Sequence, residues 1–395
     1  MKKEPKRDKI ETRTVHAGEA DAHWMDSITT PIVQSSSYIF RDSDHILSYI
    51  SGQQDHFEYG RYGNPTVSIA IKKLVELENA EDGVLFDCGM SAVSTTILAL
   101  LNQGDHLVIT DDAYKKTLIF CEKVLGRFGI QSTVVKMGDY EELEAAIRPE
   151  TVIMFSESPT NPYLNIADFQ RLKKIKDRYG ILWAIDSTFG TPYNQRPLDW
   201  GADLVIHSAT KYLSGHNDIL AGVTLGKREI ISRISDFLHT IGGILDPHAA
   251  YLLLRGLKTF AIRMERLNSN GMQIAKFLDR HPKIRRVYYP GLPNHQHHEI
   301  AKRQMSGFGS VVTFEVDSDL NGTRALLDNL RIALIAPSFG GTETLITHPA
   351  IVSYYDYLPE ERRQLGIKDE LLRFSAGIEH VEDLIEDLET ALKKV

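Results

Sequence analysis

Cysteine is nearly absent from this chain: only Cys88 and Cys121 occur among 395 residues. So few thiols exclude a disulfide framework and suit a reducing compartment. No apolar stretch approaches the ~18 residues that a membrane span needs. Long blocks of like charge are missing, apart from the basic "MKKEPKRDK" at the N-terminus. No apolar run follows that block, so it reads as a solvated arm and not as a signal peptide. The net charge of −8 gives no reason to expect nucleic acid as a partner. Also missing is the G-x-x-x-x-G-K-[ST] loop, and "GFGS" at 307–310 is not a strand–turn–helix G-x-G-x-x-G. The "HQHH" run at 295–298 has no carboxylate or cysteine at ligand spacing, so a solvated loop is expected there and no metal. These absences leave a soluble, cytoplasmic protein without membrane or nucleic-acid partners.

What is present is a large core and a repeating strand–helix pattern. Hydrophobic residues make up 42% of the chain and charged residues 25%. That is ample for two or three domains at roughly 100–200 residues each. Residues 1–60 are mixed and polar, and read as an N-terminal arm. "NPTVSIAIKKLVELE" then places Asn64 at an N-cap and Pro65 at the first helical position, with Val67, Ala70, Ile71, Leu74 and Val75 at helical spacing. A second helix opens after Gly89. Short apolar runs recur: "HLVIT", "STVVK", "TVIMF", "ILWAI", "DLVIH" and "AGVTL". Nearly continuous apolar runs are what strands buried on both faces require. Helical patterns separate many of them, the alternation of a doubly wound, mostly parallel sheet over residues 61–255. After about 255 the pattern changes to a long helix, two strands and a last helix from about 381. Residues 256–395 therefore read as a smaller α+β domain.

In such sheets, ligands bind at the carboxyl ends of the strands. There stand "SESPTNP", "DSTFGTP" and "SATKYLSGHND", and the turn "DCGMSAV" opens a helix. Lys211 follows a buried strand, where its ammonium is costly. Asp186 also follows a buried strand, and a plain ion pair between the two would be the simplest account. Ser208 and Thr210 add hydroxyls, and the turn around Gly89 offers N–H groups at a helix N-terminus. Together these could hold a phosphate dianion. A phosphate site, a carboxylate and a desolvated lysine at one rim point to pyridoxal phosphate (PLP), with Lys211 as its covalent anchor. The rival reading of "SATK" is the S-x-x-K of serine acyl hydrolases, with Ser208 as nucleophile. That class also needs S-D-N and K-T-G, and neither occurs. Cys88 has no evident base and reads as a small packed residue.

"YGRYGNPT", "SPTNP", "HSATKYLSGHND", "GGTETLITHPA" and "LLRFSAGIE" resemble the Cys/Met-metabolism family of PLP enzymes, from about Thr14 to the C-terminus. "SITTPIVQSSSY", "IAPSFGGTETL" and "VSYYD" resemble its plant-type cystathionine γ-synthase subgroup. The resemblance implies a fold-type-I PLP transferase with a large, mostly parallel-sheet cofactor domain and a smaller α+β C-terminal domain. Lys211 then matches the Schiff-base lysine, and Asp186 the partner of the pyridine nitrogen. Tyr114 matches the ring that stacks on the cofactor. Gly89, Met90, Ser208 and Thr210 match the phosphate cup, and Asn161 a contact on the hydroxyl side of the ring. Tyr59 and Arg61 match residues that reach the phosphate from a neighbouring subunit, so a homotetramer of active dimers is implied. Arg373 matches the arginine on the substrate α-carboxylate, with Ser338 placed between it and the lysine.

The implied reaction is γ-replacement: an activated homoserine ester, O-phospho or O-succinyl, takes cysteine and gives cystathionine. Side elimination, as in the γ-lyases, uses the same residues, and a homoserine-ester sulfhydrylase or another nucleophile would too. Three departures from the common family pattern stand out. Two glycines often follow the stacked tyrosine, and here the run is "YKKT". Cystathionine-cleaving relatives often carry a glutamate before Ser338, and here Pro337 stands there. "MTH" after "HPA" becomes "IVSYYD". Each favours a synthase. Lys115 and Lys116 also suggest an anionic leaving group, with Lys116 expected to face it.

Overall fold

The computed structural model describes residues 9–19, 23–364 and 366–395. The basic run of the extreme N-terminus therefore lies almost wholly outside the described residues. β1 (Asp82–Phe86), β2 (His106–Thr110), β3 (Gln131–Val135), β4 (Thr151–Glu157), β5 (Leu182–Asp186), β6 (Leu204–His207) and β7 (Gly222–Gly226) make one seven-stranded sheet in the order β1-β7-β6-β5-β4-β2-β3. From β6 to β3 all neighbours are parallel. β7 runs antiparallel to both β6 and β1, so β1 points the same way as β6. The carboxyl ends of β1, β2, β4, β5 and β6 therefore share one rim. Every residue of β2, β6 and β7 is buried, which is why these runs carry almost no polar alternation. The run "DGVLF" that forms β1 was not among the expected strands.

Helices cover both faces. Val93 and Ile97 of helix Gly89–Leu100 and Ile234 of helix Arg228–Ile241 pack on one side of the sheet. Leu143 of helix Tyr140–Ala146 and Leu172 and Ile175 of helix Phe169–Tyr179 pack on the other. The expected cap at Asn64 is present. Its side-chain oxygen accepts the N–H groups of Thr66 (2.9 Å) and Val67 (3.3 Å), and Pro65 occupies the first position of helix Pro65–Glu78.

β8 (Ile284–Tyr288), β9 (Val311–Val316), β10 (Leu334–Ile335), β11 (Leu345–Thr347) and β12 (Leu371–Ser375) make a second sheet in the order β10-β11-β12-β9-β8. Only the β10–β11 pair is parallel. Helix Phe260–Asp279 packs on β8 and β9, and one apolar cluster takes in Leu74, Leu225, Leu267, Phe314 and Phe374. Helix Ile10–His16 is tied down by a lysine. Lys73 is 0% exposed, and its ammonium meets Glu19 at 2.8 Å and the carbonyls of Thr14 and Val15 at 3.0 and 3.1 Å. A charge so deeply buried is tolerable only with such partners.

The "HQHH" loop departs from expectation. His295 is 6% exposed, and burial holds its imidazole down to about 4. Its Nδ1 accepts the N–H of His297, whose own Nδ1 accepts the N–H of Ile166. These rings brace a packed turn instead of standing in water.

Candidate active site

Each carboxyl-end segment reaches one cavity of about 340 Å³, whose wall includes Gly89, Met90, Tyr114, Asn161, Asp186, Ser208, Thr210, Lys211 and Arg373. The turn after β1 supplies Cys88, whose Sγ accepts the N–H of Ser91 and caps helix Gly89–Leu100. A Cβ placed on Gly89 would come within 2.9 Å of Ser208 Cβ and 3.0 Å of its Oγ. The helix N-terminus and the turn after β6 thus meet as closely as atoms allow, and only glycine fits between them. The first turn of a helix and the Ser208 hydroxyl stand side by side there, groups of the kind that could hold an anion such as phosphate. Ser208 donates its backbone N–H to Thr188 Oγ1 at 2.8 Å. Thr210 is less free than expected: its hydroxyl pairs with the carbonyl and the N–H of Ala221 at 3.2 and 2.9 Å.

Asp186 ends β5. Its Oδ1 takes the N–H and hydroxyl of Thr188, at 2.9 and 2.6 Å. No hydrogen bond within the chain reaches Oδ2 among the described residues. Burial pushes this carboxyl up, against the pull of the two Thr188 bonds. A cationic N–H facing Oδ2 would offset that cost, which is the chemistry a protonated pyridine offers. Lys211 is likewise pushed down, to about 8, by burial first and then by the charge of Arg373. Its ammonium donates to Ser338 Oγ at 2.9 Å and lies 5.2 Å from the Phe339 ring centre.

Arg373 sits in β12, paired with Thr347 on one side and Thr313 on the other, at 6% exposure. One Nη donates to Asn161 Oδ1 at 3.0 Å, the other to the Ser338 carbonyl at 3.1 Å. Nε is buried with no partner among the described residues, and burial brings the guanidinium down to about 10. An orphaned buried N–H beside a cavity calls for an acceptor from outside the chain. Ser338 binds both cations at once, with its hydroxyl on Lys211 and its carbonyl on Arg373.

Sequence reasoning missed Glu157. It ends β4, in register with Asp186 on β5, and its Oε2 accepts the N–H of Tyr114 at 2.8 Å. Burial first, then the charges of Asp186 and Asp112, raise it well above the ordinary carboxylate range. The signal was available: a carboxylate closing an apolar strand, as at Asp186. Thr188, Phe339 and Ser353 were also missed. They are ordinary loop residues, and nothing local marks them.

Tyr59 and Arg61, expected at the phosphate of a neighbouring subunit, do not line the cavity of their own chain. Tyr59 is 41% exposed, and Arg61 instead donates to the His239 carbonyl and to Tyr62 Oη, the latter at 3.4 Å. Lys116 is exposed and also absent from the wall. It is one step round helix Lys115–Lys123 from Lys115, and about 100° per residue turns it away. Ser208 and Lys211 meet only through the main chain, where the Lys211 N–H donates to the Ser208 carbonyl at 3.1 Å; the Lys211 ammonium donates to Ser338 Oγ.

The profile of the family described as Cys/Met metabolism PLP-dependent enzyme matches residues 11–393. The chain belongs to that family. PLP is therefore its cofactor, and the serine-hydrolase reading falls. Among relatives, the chain is 47% identical to the chloroplastic cystathionine γ-synthase 1 of Arabidopsis thaliana, over 97% of this chain and 68% of that protein. It is 41% identical to cystathionine γ-lyase of Bacillus subtilis, over 98% of this chain and all of that one. A solved structure titled metB from Corynebacterium glutamicum superposes with a TM-score of 0.91 at 35% identity, covering 98% of both chains. This member of the family pairs a large, parallel-dominated sheet with a smaller one. No helix among the described residues is long and apolar enough to cross a membrane.

Proposed function

We propose that this enzyme catalyses γ-replacement on an activated homoserine ester, with cysteine as the thiol and cystathionine as the product. The observation that carries this reading is the 47% identity to a cystathionine γ-synthase along nearly the whole chain. Pro337, where cystathionine-cleaving relatives often carry glutamate, supports it from the cavity wall.

In this reading Gly89, Met90 and Ser208 hold the cofactor phosphate, with Thr210 as backing. Asp186 holds the proton on the pyridine nitrogen, Asn161 faces the ring hydroxyl and Tyr114 covers the ring face. When bound, PLP supplies the electron sink that makes the substrate α and β protons acidic. Arg373 grips the substrate α-carboxylate through its orphaned Nε edge, in the planar geometry a guanidinium provides. That grip fixes Cα beside Lys211. A lysine held near 8 is partly neutral at physiological pH, so Lys211 Nζ can take the Cα proton and return one. Ser338 Oγ aims that amine. The Cγ–O bond to the leaving group breaks, the Cγ–S bond to cysteine forms, and the thiol proton leaves with the ester's acid.

The same proposal divides the chain into an arm to residue 60, a cofactor domain to 255 and a C-terminal domain beyond. It also assigns Tyr59 and Arg61 to the phosphate of a partner subunit, within a homotetramer of active dimers. A second reading, γ-elimination, is favoured by the 41% identity to a γ-lyase. A matrix of O-phospho-, O-succinyl- and O-acetylhomoserine against cysteine, sulfide and water, with products identified by mass, decides. Cystathionine as the main product from an ester and cysteine is expected. Oxo acid and ammonia alone, with cystathionine consumed and never made, would replace synthase by lyase.

A further inference from the structure

Two of the departures from the family pattern meet in space. Lys115 belongs to "YKKT" and Asp356 to "IVSYYD". The Lys115 ammonium donates to the Ser353 carbonyl at 2.8 Å and to Asp356 Oδ1 at 2.9 Å. It also lies 4.9 Å from the ring centre of Tyr354 and 4.4 Å from that of Tyr357. One side chain, 18% exposed, thus holds four successive contacts along residues 353–357. Among the described residues, both side-chain hydrogen bonds from the large sheet's domain to residues 353–358 start from this ammonium. The remaining bonds of the segment are local; among them Ser353 and Tyr354 donate to the Pro349 carbonyl, Tyr357 to that of Tyr354, and Arg362 to that of Tyr357.

The place of the segment makes this more than a surface pair. Ser353 lines the active cavity together with Tyr114, Lys211 and Arg373. Lys115 follows Tyr114 directly, and the Tyr114 N–H is anchored on Glu157. The fixed start of the helix and the far wall of the cavity are therefore joined through Lys115. We propose that Lys115 is a positioning residue that straps residues 353–357 to the cofactor domain, keeps Ser353 in the cavity wall and so sets how tightly the amino-acid substrate binds. The inference rests on the functional reading above for its substrate, but not for its geometry. Glycine at 115 would carry no such strap, and the aromatic pair Tyr354 and Tyr357 would lose the cation they flank.

The strap is made of a partly exposed ion pair and two cation–π contacts, interactions of modest strength. Its loss should therefore weaken binding without stopping chemistry. In the PLP-loaded enzyme, Lys115→Met is expected to raise KM for the ester about tenfold and to leave kcat within about threefold. Deuterium exchange of the peptide 349–358 should quicken, and the visible absorbance of bound cofactor should stay unchanged. Lys115→Arg keeps the charge and should restore most of both losses. Unchanged exchange at 349–358, or an unchanged KM, overturns the proposal. If Lys115→Met fails to fold, Asp356→Asn carries the test, with the same direction of change expected and no change overturning it. If the parent enzyme makes no cystathionine, the functional reading fails by itself. KM is then read for whichever amino acid is turned over, and the exchange result still decides the strap.

Discussion

Arg373→Lys keeps the charge at the substrate end of the cavity and removes the fork. The arginine spends one Nη on Asn161 at 3.0 Å and the other on the Ser338 carbonyl at 3.1 Å, leaving a buried Nε for the substrate. A lysine brings one compact ammonium, which cannot serve Asn161, Ser338 and a carboxylate in that planar arrangement. The loss is then one charge-assisted hydrogen bond inside a closed site, about 1.5–3 kcal/mol. At 1.4 kcal/mol per decade, kcat/KM for the homoserine ester should fall by roughly ten- to a hundredfold or a little more. Steady-state rates with the ester varied and cysteine saturating give that ratio. A parallel titration of the enzyme with PLP gives cofactor affinity, which should stay within about threefold, because Arg373 is not part of the phosphate cradle. Retention of kcat/KM by Arg373→Lys would refute the carboxylate role. So would a loss matched by an equal loss of cofactor affinity, because Arg373 would then be holding the fold of the site and not the substrate.

Three other outcomes test the rest of the site and the fold. Lys211→Ala should lose turnover and the visible absorbance of the bound cofactor, and full turnover in that variant would end the covalent role. Arg61→Ala chains mixed with Lys211→Ala chains should regain activity after subunit exchange, since each hybrid dimer would keep one intact site. No recovery despite proven exchange would place Arg61 in its own subunit's site. His106 is buried between Thr151 and Thr133, at 2.8 and 2.9 Å, and burial with nearby Arg148 lowers its pKa from 6.5 to about 4. Across that window the unfolded chain binds a proton that the folded chain refuses, so stability falls as pH falls and is regained as it rises. Thermal unfolding of His106→Gln should therefore depend less on pH between those limits than that of the parent. An unchanged slope would show that the residue is not buried in its neutral form.

Much of the frame was legible because it rests on local chemistry. Asn64 and Pro65 start a helix by groups within three residues of each other, and the strands announce themselves by unbroken apolar runs. Lys211 and Asp186 could be singled out because each puts a charge where a buried strand ends, which desolvation makes expensive. The polar partners that relieve those charges were not legible. Ser338 reaches Lys211 across 127 residues, and Asn161 reaches Arg373 across 212. Such pairings depend on strand order and on how the second sheet docks, and no local period encodes either. The resemblance of motifs supplied Ser338, Asn161 and Arg373; residue type and spacing alone did not. Lys73 shows the same limit: a lysine among the apolar positions of a helix looks like a solvated charge until Glu19 and two carbonyls close around it. Lys115 and Lys116 are identical neighbours in sequence, yet helix geometry sends one to Asp356 and the other to solvent. The sequence by itself determined most strands of the large sheet, the cap at Asn64 and the charges that need a cofactor. Only the tertiary structure decided which side chains answer those charges, because the partners are brought within 3 Å of one another by packing and not by their place along the chain.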